Sequence, residues 1–527
     1  MAGGLLNLVT GGAQNAIMYG NPQKTYWTST FKQITNFGLQ NFRIDYEGLR
    51  QLQVSSDTTY SFKVNRYAEL LTETFFVIQL PDIYSSYIET PTIQPYEFKW
   101  IKNIGAMMIR NIRFTIGGSL IQQMTGEDIV ALANRDLTST QKSKWDAMVG
   151  NTQDMYDPAF AEARYGNYPT AFYYANGAEP SIRGRQLRVP LPIWWGLNAQ
   201  QAFPLVCLQY NELQIEITLR PIRELFQIRD VTNTTGNTYN VIAPNMVIAE
   251  HHFNRFIQTP TETGIYTLTS TSWNENTHLS CTYCFLSEEE SIVFATREQK
   301  YLVRELYDTW FYDISITDKV WLQNSTGLVL NWMIMFRRSD VYARNEWSNY
   351  TNWPFDYLPI NISDSGKTDI SGNIIYETGE YSVENQKDIL LTLGILFDGT
   401  VREETRAATI YKYEQQYLSS PGGGFSFLSG MYCYNFCLNT DPFTLQPSGT
   451  VNLSKYSKIE LDFTTITPTL NPSATTLIIC DPMSGQQLGV NKSMAKLYNY
   501  TYDLITIEER YNILTFIGGN ASLMNAR

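Results

Sequence analysis

Between Lys458 and Thr464 the chain alternates strictly. Ile459, Leu461 and Phe463 are apolar, while Lys458, Glu460, Asp462 and Thr464 are polar. A period of two sends successive side chains to opposite faces, so this run is a strand with one face in a core and the other turned away from it. It follows an apolar and aromatic run from Met431, a break at Asp441-Pro442 and a corner at Gln446-Pro447-Ser448-Gly449. A second stretch repeats the arrangement. From Val189 an aromatic run is broken by Gly196 and Pro204, and then Leu213, Ile215, Ile217 and Leu219 alternate with Glu212, Gln214, Glu216 and Thr218. Tyr210 and Tyr456 open the two alternating runs, and the recurrence near the end of each half predicts two copies of one β domain.

The segments QPSGTVNLS, LPIWWGL…FPLVCLQYNELQIEITLRP and the opening GGAQN…YGNPQKTYW…TNF carry a family likeness, supported by LSEEESIVFATREQKYLV and LYNYTYDLITI. Taken in order from Gly3 to about Ala526, they resemble the major capsid protein of the nucleocytoplasmic large DNA viruses. The resemblance implies an all-β chain of two consecutive eight-stranded antiparallel jelly rolls, with short helices and long loop insertions. It also implies trimeric, pseudo-hexagonal capsomers on an icosahedral shell. The expected divisions are an N-terminal arm over 1–36, a first jelly roll over 37–228, a linker over 229–245 and a second jelly roll over 246–527.

The Gly- and Asn-rich arm lacks a clear period and is expected to lie extended on another surface. In the resembled family it runs beneath the capsomer, which implies minor capsid proteins and the inner membrane face as its partners. Asn15 and Lys24-Thr25-Tyr26 depart from the family's pattern there, so no individual contact is carried over.

Only 17% of the residues are charged while 14% are aromatic, the balance a molecule with large contact surfaces needs. The net charge of −12 argues against direct nucleic-acid binding, because phosphate contacts need clustered Lys and Arg and the basic runs stop at pairs such as Arg337-Arg338. The six cysteines, Cys207, Cys281, Cys284, Cys433, Cys437 and Cys480, sit in apolar strand-like runs and read as buried free thiols. No secretory signal and no run of ~20 apolar residues is visible, which predicts a protein kept in the cytosol and, by the resemblance, in a virion assembled in host cytoplasm.

Ile112 to Ile116 and Ser119 to Ile121 flank Gly117-Gly118, a tight primed-turn hairpin. Thr125 with Asp128, Thr138 with Gln141, and Ser287 with Glu290 have capping-box spacing, and Gly150 suits a helix stop. Gly327 to Phe336 reads as a buried strand. Two long insertions, Asp154 to Gly184 and Arg344 to Lys387, are expected at matching positions in their halves, the first on the outer surface or between subunits.

Chemistry is sparsely signalled. Cys281 and Cys284 have the spacing of a zinc or redox half-site, with His251, His252 and His278 as further donors, but residues three apart on a strand face opposite sides. Gly422-Gly423-Gly424 lacks the Lys-Ser/Thr pair and helix of a phosphate cradle and reads as a turn. Three histidines and no Gly-x-Ser-x-Gly elbow leave nucleophilic catalysis without support. No catalytic, cofactor or metal residues are assigned, and no enzyme activity is expected. Sequons at Asn233, Asn324, Asn349, Asn361, Asn452, Asn491, Asn499 and Asn520 leave glycosylation open. The expectation is therefore a structural subunit that binds copies of itself. The alternatives are a glycan-binding or glycan-processing β-sandwich, whose Tyr- and Trp-rich insertions would stack on sugars, and a minor capsid or spike variant of the same fold.

Overall fold

The computed structural model describes residues 3–85, 96–174, 177–229, 241–259, 273–356, 363–368, 374–377, 385–422, 430–469, 478–480, 487–490 and 500–525. Eight antiparallel strands build a first sandwich: β1 (Phe37–Asp45), β2 (Thr58–Val64), β3 (Leu70–Gln79), β4 (Ile109–Ile116), β5 (Ser119–Met124), β6 (Gln186–Pro190), β7 (Leu213–Leu219) and β8 (His278–Leu286). Eight more build a second: β9 (Gln299–Ile314), β10 (Thr317–Trp321), β11 (Leu328–Arg338), β12 (Leu390–Phe397), β13 (Thr400–Ala407), β14 (Met431–Asn435), β15 (Ile459–Thr465) and β16 (Tyr502–Ile517). The sheet orders are β1-β8-β3-β6 with β2-β7-β4-β5, and β9-β16-β11-β14 with β10-β15-β12-β13. Position by position the two orders are the same, which makes this a double jelly roll.

The repeated sequence arrangement is the part of each sandwich where one strand breaks and the next crosses the sheet centre. In the first sandwich both β6 and the two-residue strand Phe203–Pro204 pair with β3, so this sheet edge is one strand interrupted by the Trp194–Leu197 helix. In the second, β14 and Val451–Asn452 share β11 in the same way, on either side of the Pro442 to Gly449 corner. The alternating runs then become β7 and β15, each central in its sheet, with every second residue buried.

Gly117 and Gly118, at φ 56° and 84°, make the β4–β5 turn as their sequence predicts. The equivalent turn between β12 and β13 is Asp398-Gly399, at φ 50° and 78°, a hairpin dipeptide whose signal was overlooked. The capping boxes of Thr125 and Thr138 start helices α1 (Gly126–Asp136) and α2 (Ser139–Val149), and α2 ends at Gly150. Helix α3 (Glu288–Thr296) does start after Ser287, but Ser287 makes no side-chain cap bond, so that capping box is corrected to a plain helix start.

Strand pairing moves the changeover between the halves. His278–Leu286 was assigned by sequence to the second jelly roll, yet it lies between β1 and β3 of the first. The polar segment read as a linker therefore falls inside the first sandwich, between β7 and β8, and its centre from Val231 to Thr238 lies outside the described residues. The insertions do not match in position either. Asp154 to Gly184 lies between β5 and β6, whereas Arg344 to Lys387 lies between β11 and β12. The arm carries two short helices, Gly3–Val9 and Ala16–Tyr19, and none of its described residues is buried.

β11 shows why the chain from Leu328 onward is almost wholly apolar. Trp332, Ile334 and Phe336 point into the second sandwich's own core. Met333 and Met335, on the opposite face, join a core that runs on into the first sandwich. Ile505 and Ile507 of β16 do the same, so this sheet is covered on both faces and its strands lose the polar half of the alternation.

Candidate functional site

The seam between the sandwiches holds a cluster of buried charge. Helix α1, set by its Thr125 cap, ends with Arg135-Asp136 against the second sandwich. Arg135 is 0% exposed. Its guanidinium donates to both Asp136 oxygens, at 2.7 and 2.8 Å, and at 2.9 Å to both Asn331 Oδ1 and Glu509 Oε2. Asn331 Nδ2 donates to the same Glu509 oxygen at 2.6 Å, and Arg304 reaches Glu509 Oε1 at 3.3 Å. Burial pushes the Glu509 carboxyl up, but the two guanidiniums and the amide outweigh it and hold the group below its ordinary value. Two guanidiniums and two carboxylates thus compensate one another in a largely buried site.

The second insertion clamps the same seam further along. Asn345 donates to the carbonyls of Arg223 and Phe226 at 2.7 and 2.8 Å, and the Trp347 indole to Glu224 O at 3.0 Å. Arg220 of the first sandwich stacks over the Trp347 ring at 4.4 Å while donating to Glu127. Gln227 donates to Glu346 at 2.8 Å, and Lys102 pairs with Asp356 at 2.6 Å. At the far end, the β16 hairpin tip places Gly519 O within 3.1 Å of Gln209 N. The sandwiches are therefore joined by an apolar core, an ion cluster and a loop clamp.

Sequence reasoning missed this seam. The charged triplet Glu508-Glu509-Arg510 inside a buried strand was the available signal, because charges there must be paired. Arg337 and Arg338, the basic pair, are both taken up inside: Arg337 over the Trp310 ring at 4.6 Å, Arg338 over Tyr500 at 3.5 Å and on Asp340.

The cysteines and histidines weighed as possible ligands lie apart or buried. Cys281 and Cys284 fall in different apolar clusters, on opposite faces of β8, and burial pushes the Cys281 thiol up to about 12. Cys207, Cys433 and Cys437 are also buried free thiols, and the side chain of Cys480 lies outside the described residues. His252 contacts Met246 O, and His278 contacts Asn276 O, with burial lowering its pKa. His251 accepts from Asn245 N and packs edge-on against Tyr96. No group of three or more His, Cys, Asp and Glu positioned for a metal occurs among the described residues. Gly422 packs on the backbone carbonyls of Arg135 and Leu137, and Gly423 and Gly424 lie outside the described residues.

Of the sequons, Asn324, Asn452 and Asn520 are exposed, whereas Asn349 is 1% exposed and donates to Trp353 O and Pro354 O. Asn233, Asn361, Asn491 and Asn499 lie outside the described residues. In the first insertion, Tyr168 is turned inward to donate to Phe98 O at 2.6 Å, and Tyr156 sits against Lys102. The surface offers edges instead. β1 and β13 each pair on one side only, and β13 exposes Arg402, Glu404 and Arg406. The arm exposes Leu8, Ile17 and Trp27, the last 93% accessible. No helix among the described residues is long and apolar enough to cross a membrane.

Residues 25–258 match a family model described as the major capsid protein N-terminus. Over 239 residues the chain is 28% identical to the major capsid protein of Phaeocystis pouchetii virus, covering 45% of this chain and 44% of that protein. The match to the Chrysochromulina ericina virus major capsid protein, also 28% identical, covers 42% of each chain, so the chain aligns with under half the length of these two relatives. Against the major capsid protein of Paramecium bursaria Chlorella virus 1 the alignment spans 100% of both chains at 24% identity. Among solved structures, the PBCV-1 virus capsid superposes with a TM-score of 0.61 at 17% identity, over 95% of this chain and 100% of that one. The Faustovirus major capsid protein gives 0.59 at 13% identity, over 94% and 93%. These structural likenesses establish the fold.

Proposed function

We propose that this chain, which belongs to the double jelly-roll family of viral major capsid proteins, is a shell-building subunit that works as homotrimeric, near-hexagonal capsomers. The observation that carries the reading is the pairing of two sandwiches of identical strand order, locked into one body by a buried seam. Six similar flanks from three chains let a three-fold block occupy a six-fold lattice position. The seam matters because a lattice contact on one module is useful only if the other module holds a fixed angle to it.

Obligate interfaces bury ~2,000–5,000 Å², worth tens of kcal/mol gross at ~25 cal/mol/Å², against association costs of ~4–15 kcal/mol. Trimers therefore form before any shell does. Contacts between trimers are the smaller and more polar set, for which the charged edge β13 is suited. The exposed apolar residues of the arm fit minor capsid proteins or the inner membrane face, and the virion is assembled in host cytoplasm. The changeover between modules falls in α3, after β8 has returned to the first sandwich. The buried histidines and thiols support a structural chain rather than an enzyme.

Purified protein run in sedimentation at micromolar concentration tests the proposal, with a trimer expected and a monomer contradicting it. Glycan binding gains no specific support: of the first insertion's described tyrosines, Tyr156 and Tyr168 pack against the protein and Tyr165 alone is exposed.

A further inference from the structure

The seam inside one chain joins unlike parts of two like modules. Helices α1 and α2 lie between β5 and β6 of the first sandwich. Ile129, Leu132 and Asp136 of α1 line one hollow with Leu302, Arg304 and Leu306 of β9, and Arg135 bonds Glu509 of β16. Each partner has a counterpart in the other module. Between β13 and β14, the place that α1 and α2 take in the first sandwich, the second carries a π-helical turn, Ile410–Glu414, and a short helix, Gln415–Ser419. β1 is the counterpart of β9, since each opens its sandwich, holds the outer place in the same sheet order and pairs along the last strand, β8 or β16.

Both counterparts carry exposed apolar side chains. In the helical segment Tyr411, Lys412 and Gln416 are buried, whereas Tyr413, Tyr417 and Leu418 are exposed, Tyr417 by 89%. Ile410, Tyr413 and Tyr417 line one open hollow, which makes them a continuous strip. On β1, Leu39 is 60% exposed and Phe37 51%. They oppose Cys284 and Leu286 across the ladder and share their face. That face is turned away from the sandwich core that takes in Cys281 and Tyr283.

Symmetry selects the occupant. A head-to-tail contact repeated by a closing rotation makes a ring. Three chains of two like modules close evenly only if the step from one chain's second sandwich to the next chain's first repeats the step that the seam already makes. The counterpart of α1 then meets the counterpart of β9, and the seam continues around the axis. Two tyrosines and a phenylalanine, each able to bury ~150–250 Å², supply the apolar and aromatic centre such an interface needs.

We propose that segment 410–419 of one copy seats on β1 of the next, around Phe37 and Leu39, and that this contact closes the trimer. The contact rests on the trimeric reading of the chain and gives it a surface.

The test uses the full chain with Leu39→Cys and Tyr417→Cys, alone and together, treated with a flexible bis-maleimide. The described native thiols are buried, and the parent chain treated in parallel sets the background. The double variant is expected to give covalent dimers and trimers on a denaturing gel. Each single variant should stay at background, because a head-to-tail contact brings unlike positions together. Replacing Tyr413 and Tyr417 together by Ala, at exposed positions that leave the core intact, should raise the trimer's dissociation constant about tenfold or more in sedimentation. A parent chain that sediments as a trimer while the double variant gives no cross-links above background, or while the tyrosine variant dissociates no more readily, would overturn this surface and leave the trimer standing. Cross-linking by Leu39→Cys alone would mean a like-with-like contact and would also overturn it. A monomeric parent chain would overturn the trimer, and this contact with it.

Discussion

Arg135 of the first sandwich donates a 2.9 Å hydrogen bond to Glu509 of the second, with both side chains shut off from solvent. Neither can be removed cheaply, because the buried four-charge cluster is then unbalanced: without Arg135 the Asp136 and Glu509 carboxylates share Arg304 alone, and without Glu509 the Arg135 and Arg304 guanidiniums share Asp136 alone. Arg135→Leu alone should cost about 3–5 kcal/mol, and so should Glu509→Leu, whereas the double variant should recover much of the loss. Denaturant melts of the four proteins check this as a coupling energy. Additive single costs would show that the pair does not act as a unit.

The clamp across the seam is held by Trp347 under the Arg220 guanidinium. Trp347→Ala removes the ring, the cation–π contact and a hydrogen bond to Glu224 O, for an expected loss of about 3–5 kcal/mol. Limited proteolysis should then cut near α3 and release two fragments. Protection equal to the parent chain would deny the loop any clamping role.

Stability should fall with rising pH in one window. Burial lifts the Asp128 carboxyl, which faces Asp308 of the second sandwich, from its ordinary 3.8 to about 6. The folded state then holds the proton more tightly than the unfolded chain, so this contribution is whole below pH 4 and is lost as pH rises toward 6. The loss is roughly 2–3 kcal/mol. Glu509 and Asp340, held low by their arginines after burial is offset, act oppositely, and their contribution is lost as pH falls below about 4. Asp128→Asn should flatten the decline of Tm between pH 4.5 and 6.5. A slope equal to that of the parent would remove Asp128 as its source.

Asn349 sits in a sequon, yet both its amide hydrogens are spent on backbone carbonyls. Peptide mapping of protein from virions should find it unmodified, with any sugar on exposed positions such as Asn324, Asn452 or Asn520. A glycan on Asn349 would mean that the loop opens far enough to expose it.

The sequence made the alternating strands legible because β7 and β15 each bury one face only, leaving the period intact. The Gly117-Gly118 hairpin and the caps of α1 and α2 were legible because their signals are local. What failed was long-range. Nothing near His278 says that its strand pairs with Phe37 to Asp45, more than two hundred residues earlier, so the polar stretch before it passed for a linker. The seam was hidden for a related reason. Arg135, Asn331 and Glu509 lie on three separate elements, and no spacing rule connects them.

The central claim is that two like sandwiches per chain give three chains a six-sided outline. Negative-stain microscopy of the purified protein tests it most directly. The account predicts uniform near-hexagonal blocks with a central three-fold axis, each holding three chains. A field of single two-lobed particles at micromolar concentration would contradict it.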